Sequence, residues 1–260
     1  MIKEIIDKLV ALLAVSALLA SCSESELWQN PQTEARDGYI MLNFKTEIPA
    51  MQEVVTRAVD PDGGGVQDMT LFCFDSYGLF ISTVKAGVTV QKPGPGEMEG
   101  TFKAEVPENT RTIHFLANQN MDEFKEDSFR NKSESEVMAV LEGSSGRMIY
   151  WGRFACDAGN DSNIAEQMAT SGNSVKLIRN HARISVDNPD NNGHIVITGF
   201  AVCNTNAFGT VAPHHPKKGF DFTWPSSDDP FVTLPVNDAK MSDITDVTSS
   251  MNQYVFECEN

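Results

Sequence analysis

The stretch Tyr39-Ile40-Met41-Leu42-Asn43-Phe44-Lys45-Thr46-Glu47-Ile48, followed by Pro49, decides the fold. Ile40, Leu42, Phe44 and Ile48 fall on one side of an extended chain, and Met41, Asn43, Lys45 and Glu47 fall on the other. A two-residue period of this kind marks a strand with one face on a core and one toward solvent. Proline has no N–H to give a ladder and ends the run. The reading is an N-terminal β-strand over 39–48.

Toward the C-terminus the same alternation recurs. In Met98–Val106, Phe102, Ala104 and Val106 oppose Thr101, Lys103 and Glu105, and Arg111–Ala117 brings Ile113, Phe115 and Ala117 onto one face. Asp68–Asp75 is apolar on both faces, as a central strand requires, with Cys73 as a small buried residue. Tyr77-Gly78 turns the chain into Leu79–Lys85, and Val88–Lys92 stops at Pro93-Gly94-Pro95-Gly96. Further strands are expected at Arg147–Phe154, Ser174–Val186, His194–Cys203 and Gln253–Cys258. One helix is expected at Ser133–Glu142, with Ser133 and Glu136 as a capping box, Val137, Val140 and Leu141 as its apolar stripe and Gly143 closing it. Short strands spaced by turns, with one inserted helix, predict an all-β, Greek-key sandwich of the Ig or transthyretin kind over 38–213. Residues 214–260 are read as a linker and the opening of a second β domain, cut short at Asn260.

Toward the N-terminus the sequence changes character. Lys3 and Lys8 precede the aliphatic run Leu9–Ala20, which is too short to span a bilayer but fits the apolar core of a secretory signal. Leu19-Ala20-Ser21-Cys22 then looks like a bacterial lipobox. Residues 1–21 are therefore expected to be a lipoprotein signal peptide, with Cys22 lipidated and 22–37 a polar tether. Each buried acyl CH₂ contributes about 0.8 kcal/mol, so several acyl chains hold a protein firmly on a membrane. Ser23-Glu24-Ser25-Glu26 resembles the acidic export signal of surface lipoproteins in Bacteroides-like bacteria.

The composition narrows the function. The chain has 260 residues, 36 acidic against 20 basic, and a formal charge of −16, which repels phosphate backbones and argues against nucleic acid as a partner. Five cysteines occur without a C-x-x-C pair, so zinc ribbons and thioredoxin-like chemistry have no support. No nucleophile elbow, zinc-protease helix, phosphate loop or dinucleotide fingerprint is present. The reading is a protein without enzymatic activity, cofactor, catalytic residues or metal ligands. His214-His215 reads as loop histidines, because adjacent side chains on a strand point to opposite faces. Asp157–Asn163 is rich in oxygen ligands, but it lacks the EF-hand register and reads as a solvated loop. Trp28, Trp151 and Trp224 are scattered and read as packing residues. Arg57, in Val54-Val55-Thr56-Arg57-Ala58-Val59, lies between the first strand and the flexible turn Asp60-Pro61-Asp62-Gly63-Gly64-Gly65, where a trypsin-like protease finds an accessible site.

Several pieces stand in a telling order: the lipobox, the first strand, Thr56-Arg57-Ala58, the acidic Gly-rich turn, and Met69-Thr70-Leu71-Phe72-Cys73-Phe74-Asp75 followed by Gly78. Ile113–Asn118, Leu177–Ile184, Asn204–Pro213 and Tyr254-Val255-Phe256-Glu257 continue it. Over roughly Gly38 to Asn260 this order resembles the N-terminal domain of the fimbrillins, subunits of the type V pili of Bacteroides-like bacteria. The resemblance implies export as a lipoprotein to the outer membrane, held there through Cys22 before processing. It implies a cut by a trypsin-like, Arg-specific protease between Arg57 and Ala58. The cut displaces the strand that carries Ile40, Leu42, Phe44 and Ile48, and a strand from another fimbrial subunit fills the groove in a surface fimbrium that serves adhesion. Burying those four side chains contributes about 6–12 kcal/mol, comparable to a whole domain's stability of about 5–15 kcal/mol, so a sandwich that loses the strand needs a substitute. Family members that anchor the pilus keep their lipid and are not cut. Shaft, tip and anchor positions stay open, as does a surface lipoprotein that binds glycans or nutrients without cleavage.

Overall fold

The computed structural model describes residues 35–47, 66–93, 98–119, 121, 124–144, 148–186, 197, 199–206, 208–214, 219–220, 222, 241–244 and 252–255. In chain order the strands begin with β1 (Tyr39–Glu47), β2 (Met69–Phe74), β3 (Phe80–Lys85), β4 (Gly87–Pro93), β5 (Met98–Pro107) and β6 (Thr112–Ala117). A 3-10 turn at Glu126–Phe129, helix α1 (Glu134–Ala139), β7 (Glu142–Ser144), β8 (Tyr150–Ala155) and helix α2 (Ile164–Thr170) follow. The remainder is β9 (Ser174–Lys176), β10 (Ile178–Arg179), β11 (Ala182–Ser185), β12 (Cys203–Asn206), β13 (Phe208–Thr210), β14 (Met241–Ile244) and β15 (Asn252–Val255).

Two sheets make a β-sandwich. One has the order β4-β5-β1-β9 and the other β10-β8-β6-β2-β3. From β1 to β6 the chain switches sheets three times, between β1 and β2, between β3 and β4 and between β5 and β6, so each sheet is stitched from sequence-distant strands. The alternating faces read from the sequence meet between them. Ile40, Leu42 and Phe44 of β1 and Phe102, Ala104 and Val106 of β5 pack against Leu71, Cys73, Ile113, Phe115 and Ala117 of the opposite sheet. β2 is buried at all six positions because its outer face is covered too. Phe72 and Phe74, with Leu116 and Trp151, lie under Val137, Met138 and Leu141 from α1 and its C-terminal end, and under Phe129, Val211 and Ala212.

α1 starts as the sequence predicts. The Ser133 side chain accepts from the Glu136 N–H, and Glu136 reaches back to the Ser133 N–H. The structure adds a further short helix, α2, to the expected one, opened by an equivalent capping box of Asn163 and Glu166. Ser174–Val186 is not one strand. β9 lies beside β1, β10 pairs with β8, and β11 pairs with β15. The break at Leu177 follows from its location, since the Leu177 N–H donates to the Glu47 carbonyl and the side chain is fully buried in the core. Gly152 on β8 makes room for this crossing, because a Cβ there would stand 2.5 Å from the Lys176 carbonyl oxygen. The late strand expected near 253–258 is β15, antiparallel to β11, and β14 pairs with β12. Ile48, the Asp187–Gly193 loop and residues 194–196 and 198 lie outside the described residues; where the strand expected at His194–Cys203 is described, at 197 and 199–203, the structure corrects it, since β12 takes in only its last residue, Cys203.

Candidate functional site

β1 and its bed form the candidate site. β1 is an interior strand. It pairs antiparallel with β5 from Tyr39↔Pro107 to Thr46↔Gly100, and parallel with β9 from Lys45↔Ser174 to Glu47↔Lys176. Its far end is tied by the Lys45 N–H to the Asn173 carbonyl at 2.7 Å, the Leu177 N–H to the Glu47 carbonyl at 2.8 Å, and the Ser174 hydroxyl to Glu47 Oε1 at 2.5 Å. Helix α2 packs beside it.

Inward from β1 come Ile40, Leu42, Phe44 and Thr46, all buried. Phe44 is the anchor, fully enclosed, with its ring stacked on Phe102 at 5.5 Å and edge-on to Phe115 at 5.0 Å. One aromatic pair lies within the sheet and the other joins the two sheets. The fourth inward position is less well served. Thr46 has no exposed surface, and its hydroxyl has no hydrogen-bond partner among the described residues. The outward face departs from the simple alternation at Met41, which is buried as well.

The N-terminal end of β1 is clamped. The Tyr39 N–H donates to the Arg36 carbonyl at 3.0 Å across Asp37-Gly38, and Gly38 takes φ +76°, the left-handed region a type II turn demands at that position. The Glu108 N–H donates to the Gly38 carbonyl at 3.1 Å. Arg36 lays its guanidinium 4.2 Å over the Tyr39 ring and pairs through Nε with Glu105 Oε2 at 2.7 Å.

Of the residues singled out in the sequence, Ile40, Leu42 and Phe44 are brought together by β1. Ile48, Arg57, Ala58 and Cys22 lie outside the described residues. Trp151 is a core residue. Cys73 is buried, and burial pushes its thiol up to about 12, so it is protonated at neutral pH. His214 stands edge-on to Phe220 at 4.9 Å.

One constellation escapes a sequence reading. His114 on β6 is fully buried, and its Nδ1 accepts from the Trp151 indole N–H at 3.0 Å. The ring proton is therefore on Nε2, which donates to Glu134 Oε2 at 2.7 Å. Arg153 holds the same carboxylate through Nε at 2.6 Å and Nη2 at 3.1 Å, and Phe222 caps the imidazole edge-on at 4.7 Å. Burial drives the His114 pKa below its usual value despite the carboxylate. Burial works against the charge on Glu134, but the hydrogen bonds from His114 and Arg153 outweigh it and bring the carboxyl down to about 2. A histidine and a carboxylate in contact suggest acid–base chemistry, yet every polar atom of this pair is engaged. The cluster fastens the start of α1 to the outer face of the sheet. Its members are far apart in the chain, and the signal available beforehand was a histidine and an arginine inside otherwise apolar strands. Among the described residues no group of three or more His, Cys, Asp or Glu is arranged to hold a metal ion.

No protein-family model matches the chain, and no curated protein matches it. Solved structures do. The chain is similar to a fimbrial assembly protein from Parabacteroides distasonis, with 14% identity over 84% of this chain and 86% of that one and a TM-score of 0.42. It is also similar to the tip fimbrial protein Mfa3 from Porphyromonas gingivalis with C-terminal truncation, with 14% identity over 83% of this chain and 68% of that one and a TM-score of 0.46. Its structural neighbours thus include fimbrial proteins of the Bacteroidales.

Proposed function

We propose that this protein is a structural subunit of a surface fimbria, exported as a lipoprotein through Cys22, cut by an Arg-specific protease between Arg57 and Ala58, and assembled by strand exchange with other fimbrial subunits. The observation that carries the reading is the location of β1. It is the N-terminal strand of the sandwich, yet it lies in the interior of its sheet, between β5 and β9. Two demands follow from its loss. Removing Ile40, Leu42 and Phe44 forfeits about 5–9 kcal/mol of apolar burial, and it leaves the β5 and β9 edges unpaired over a hydrophobic slot. A strand added from another chain meets both demands, since main-chain hydrogen bonds complete the sheet and alternate side chains fill the slot. The subunit then reaches the outer membrane as a lipoprotein, is released by the cut, and joins the fibre.

The test is the N-terminus of the assembled form. Mass spectrometry of purified fibres is expected to find chains beginning at Ala58. Chains that retain an acylated Cys22 throughout the assembled fraction would overturn the processing step and favour an anchor.

A further inference from the structure

Two arginines bracket β1, Arg36 before it and Arg57 after it, and Arg36 is the first arginine in the chain. For an Arg-specific protease they are chemically equivalent, but their cuts have opposite consequences. Hydrolysis at Arg57, where water gives its hydroxyl to the Arg57 carbonyl carbon and a proton to the Ala58 nitrogen, detaches β1 together with the anchor. Hydrolysis at Arg36 would detach the anchor alone and leave β1 in its bed, giving a released subunit that stays plugged.

The geometry around Arg36 bears on this choice. A trypsin-like enzyme takes its substrate extended, with the arginine side chain inserted in a deep pocket and several residues on each side in the cleft. On the far side of the Arg36–Asp37 bond the chain is folded back, because Asp37 and Gly38 are the two central residues of the turn closed by the Tyr39 N–H and the Arg36 carbonyl. Gly38 is bound to Glu108, and Tyr39 opposite Pro107 begins the β1–β5 ladder. The next residue, Ile40, is already in the core. The arginine side chain itself is occupied by Glu105 and the Tyr39 ring. Presenting this bond to a protease therefore requires unwinding the turn and peeling the first residues of β1 from β5.

We infer that Arg36 is a processing site shielded by the fold, with the Arg36–Tyr39 turn and its Glu105 and Tyr39 contacts directing an Arg-specific protease away from the anchor side of β1. The inference rests on the proposed processing at Arg57 for its biological meaning, though the shielding stands on the turn alone. An exposed ion pair contributes little by itself, so the turn and ladder supply most of the protection and the side-chain contacts a smaller part.

The test is limited digestion of the full chain with an Arg-specific trypsin-like protease, counting new N-termini by mass spectrometry. Asp37 termini are expected to form at least about tenfold more slowly from the native chain than from the same chain in urea at matched protease activity. The double variant Tyr39→Ala/Glu105→Gln, with its fold checked by circular dichroism, is expected to release Asp37 termini about three- to tenfold faster than the parent. The single variant Glu105→Gln leaves the ladder intact and is expected to show a smaller increase. Asp37 termini that appear from the native parent as fast as from the denatured chain would overturn the shielding. Absence of Ala58 termini with Arg36 still protected would instead refute the Arg57 reading and leave the shielding supported.

Discussion

Replacing Phe44 by alanine removes the largest side chain that β1 contributes to the core. Phe44 is fully enclosed and faces Phe102 directly across the β1–β5 register, with Phe115 approaching from the other sheet at 5.0 Å. Phenylalanine-to-alanine changes in cores cost about 3–5 kcal/mol, from lost transfer energy and the cavity left behind. The upper half of that range is expected here, because two aromatic contacts, each worth about 0.5–1.5 kcal/mol beyond burial, disappear together. The loss is large against a total of about 5–15 kcal/mol. At about 2–4 °C per kcal/mol it lowers Tm by roughly 8–20 °C. The assay is urea unfolding of a Cys22→Ser chain lacking the signal segment, with and without the Phe44 change, read by fluorescence and circular dichroism. The same substitution in a synthetic 38–48 strand is expected to weaken its binding to a chain lacking residues 23–57 by at least about a hundredfold. A destabilisation below about 1 kcal/mol with an unchanged m-value would refute the view of β1 as a stabilising strand, whatever else the protein does.

Four further outcomes are expected. Thr46→Val removes a buried hydroxyl with no partner among the described residues, and is expected to raise stability by about 1 kcal/mol in the same urea assay; a loss would mean that the hydroxyl is bonded in solution. Gly152→Ala brings a Cβ to 2.5 Å from the Lys176 carbonyl oxygen and 2.8 Å from Leu177 Cδ2, and should lower stability by at least about 2 kcal/mol by pushing β9 from its place beside β1; a neutral thermal melt would contradict that crossing. Burial lowers the pKa of both His114 and His181, the latter to about 4, so the unfolded chain takes up protons that the fold does not. Stability is then complete above about pH 6.5 and falls on acidification by up to about 1.4 kcal/mol per pH unit per ring, with Glu134, held at about 2, adding to the loss below about pH 4.5; a urea midpoint that rises between pH 7 and 4.5 would refute this. Ser133→Ala removes the cap of α1 and should cost about 0.5–2 kcal/mol, checked by the same midpoint at neutral pH.

Where the fold was written in local pattern, it was legible. β1, β2, β5 and β6 follow from a two-residue period or a doubly apolar run, because each of their faces meets one kind of surroundings along its whole length. The cap of α1 was equally plain. Helix α2 carried the same kind of signature in Asn163 and Glu166, hidden behind an acidic, Asn-rich loop that reads as solvated. The segment from Ser174 to Ser185 was not legible, since an unbroken strand-like sequence is divided among three sheets by tertiary demands. Leu177 is drawn into the core between two pairings, and the Asn180 side chain accepts from the Ile149 N–H at 3.0 Å where the chain turns away. The His114–Glu134–Arg153–Trp151 cluster joins residues from three elements and has no local pattern at all. In the candidate site, the inward residues of β1 were readable from period alone, whereas the turn that ties down Arg36 depends on contacts with Glu105 and Glu108 across the sheet.

Exchangeability of β1 is measured most directly by adding a labelled peptide of residues 38–48 to a chain lacking 23–57 and following binding and thermal stability together. Strand exchange predicts an unstable or self-associating protein that takes up one peptide per chain and recovers the melting temperature of the intact molecule. A monomeric, stably folded protein that ignores the peptide would contradict it.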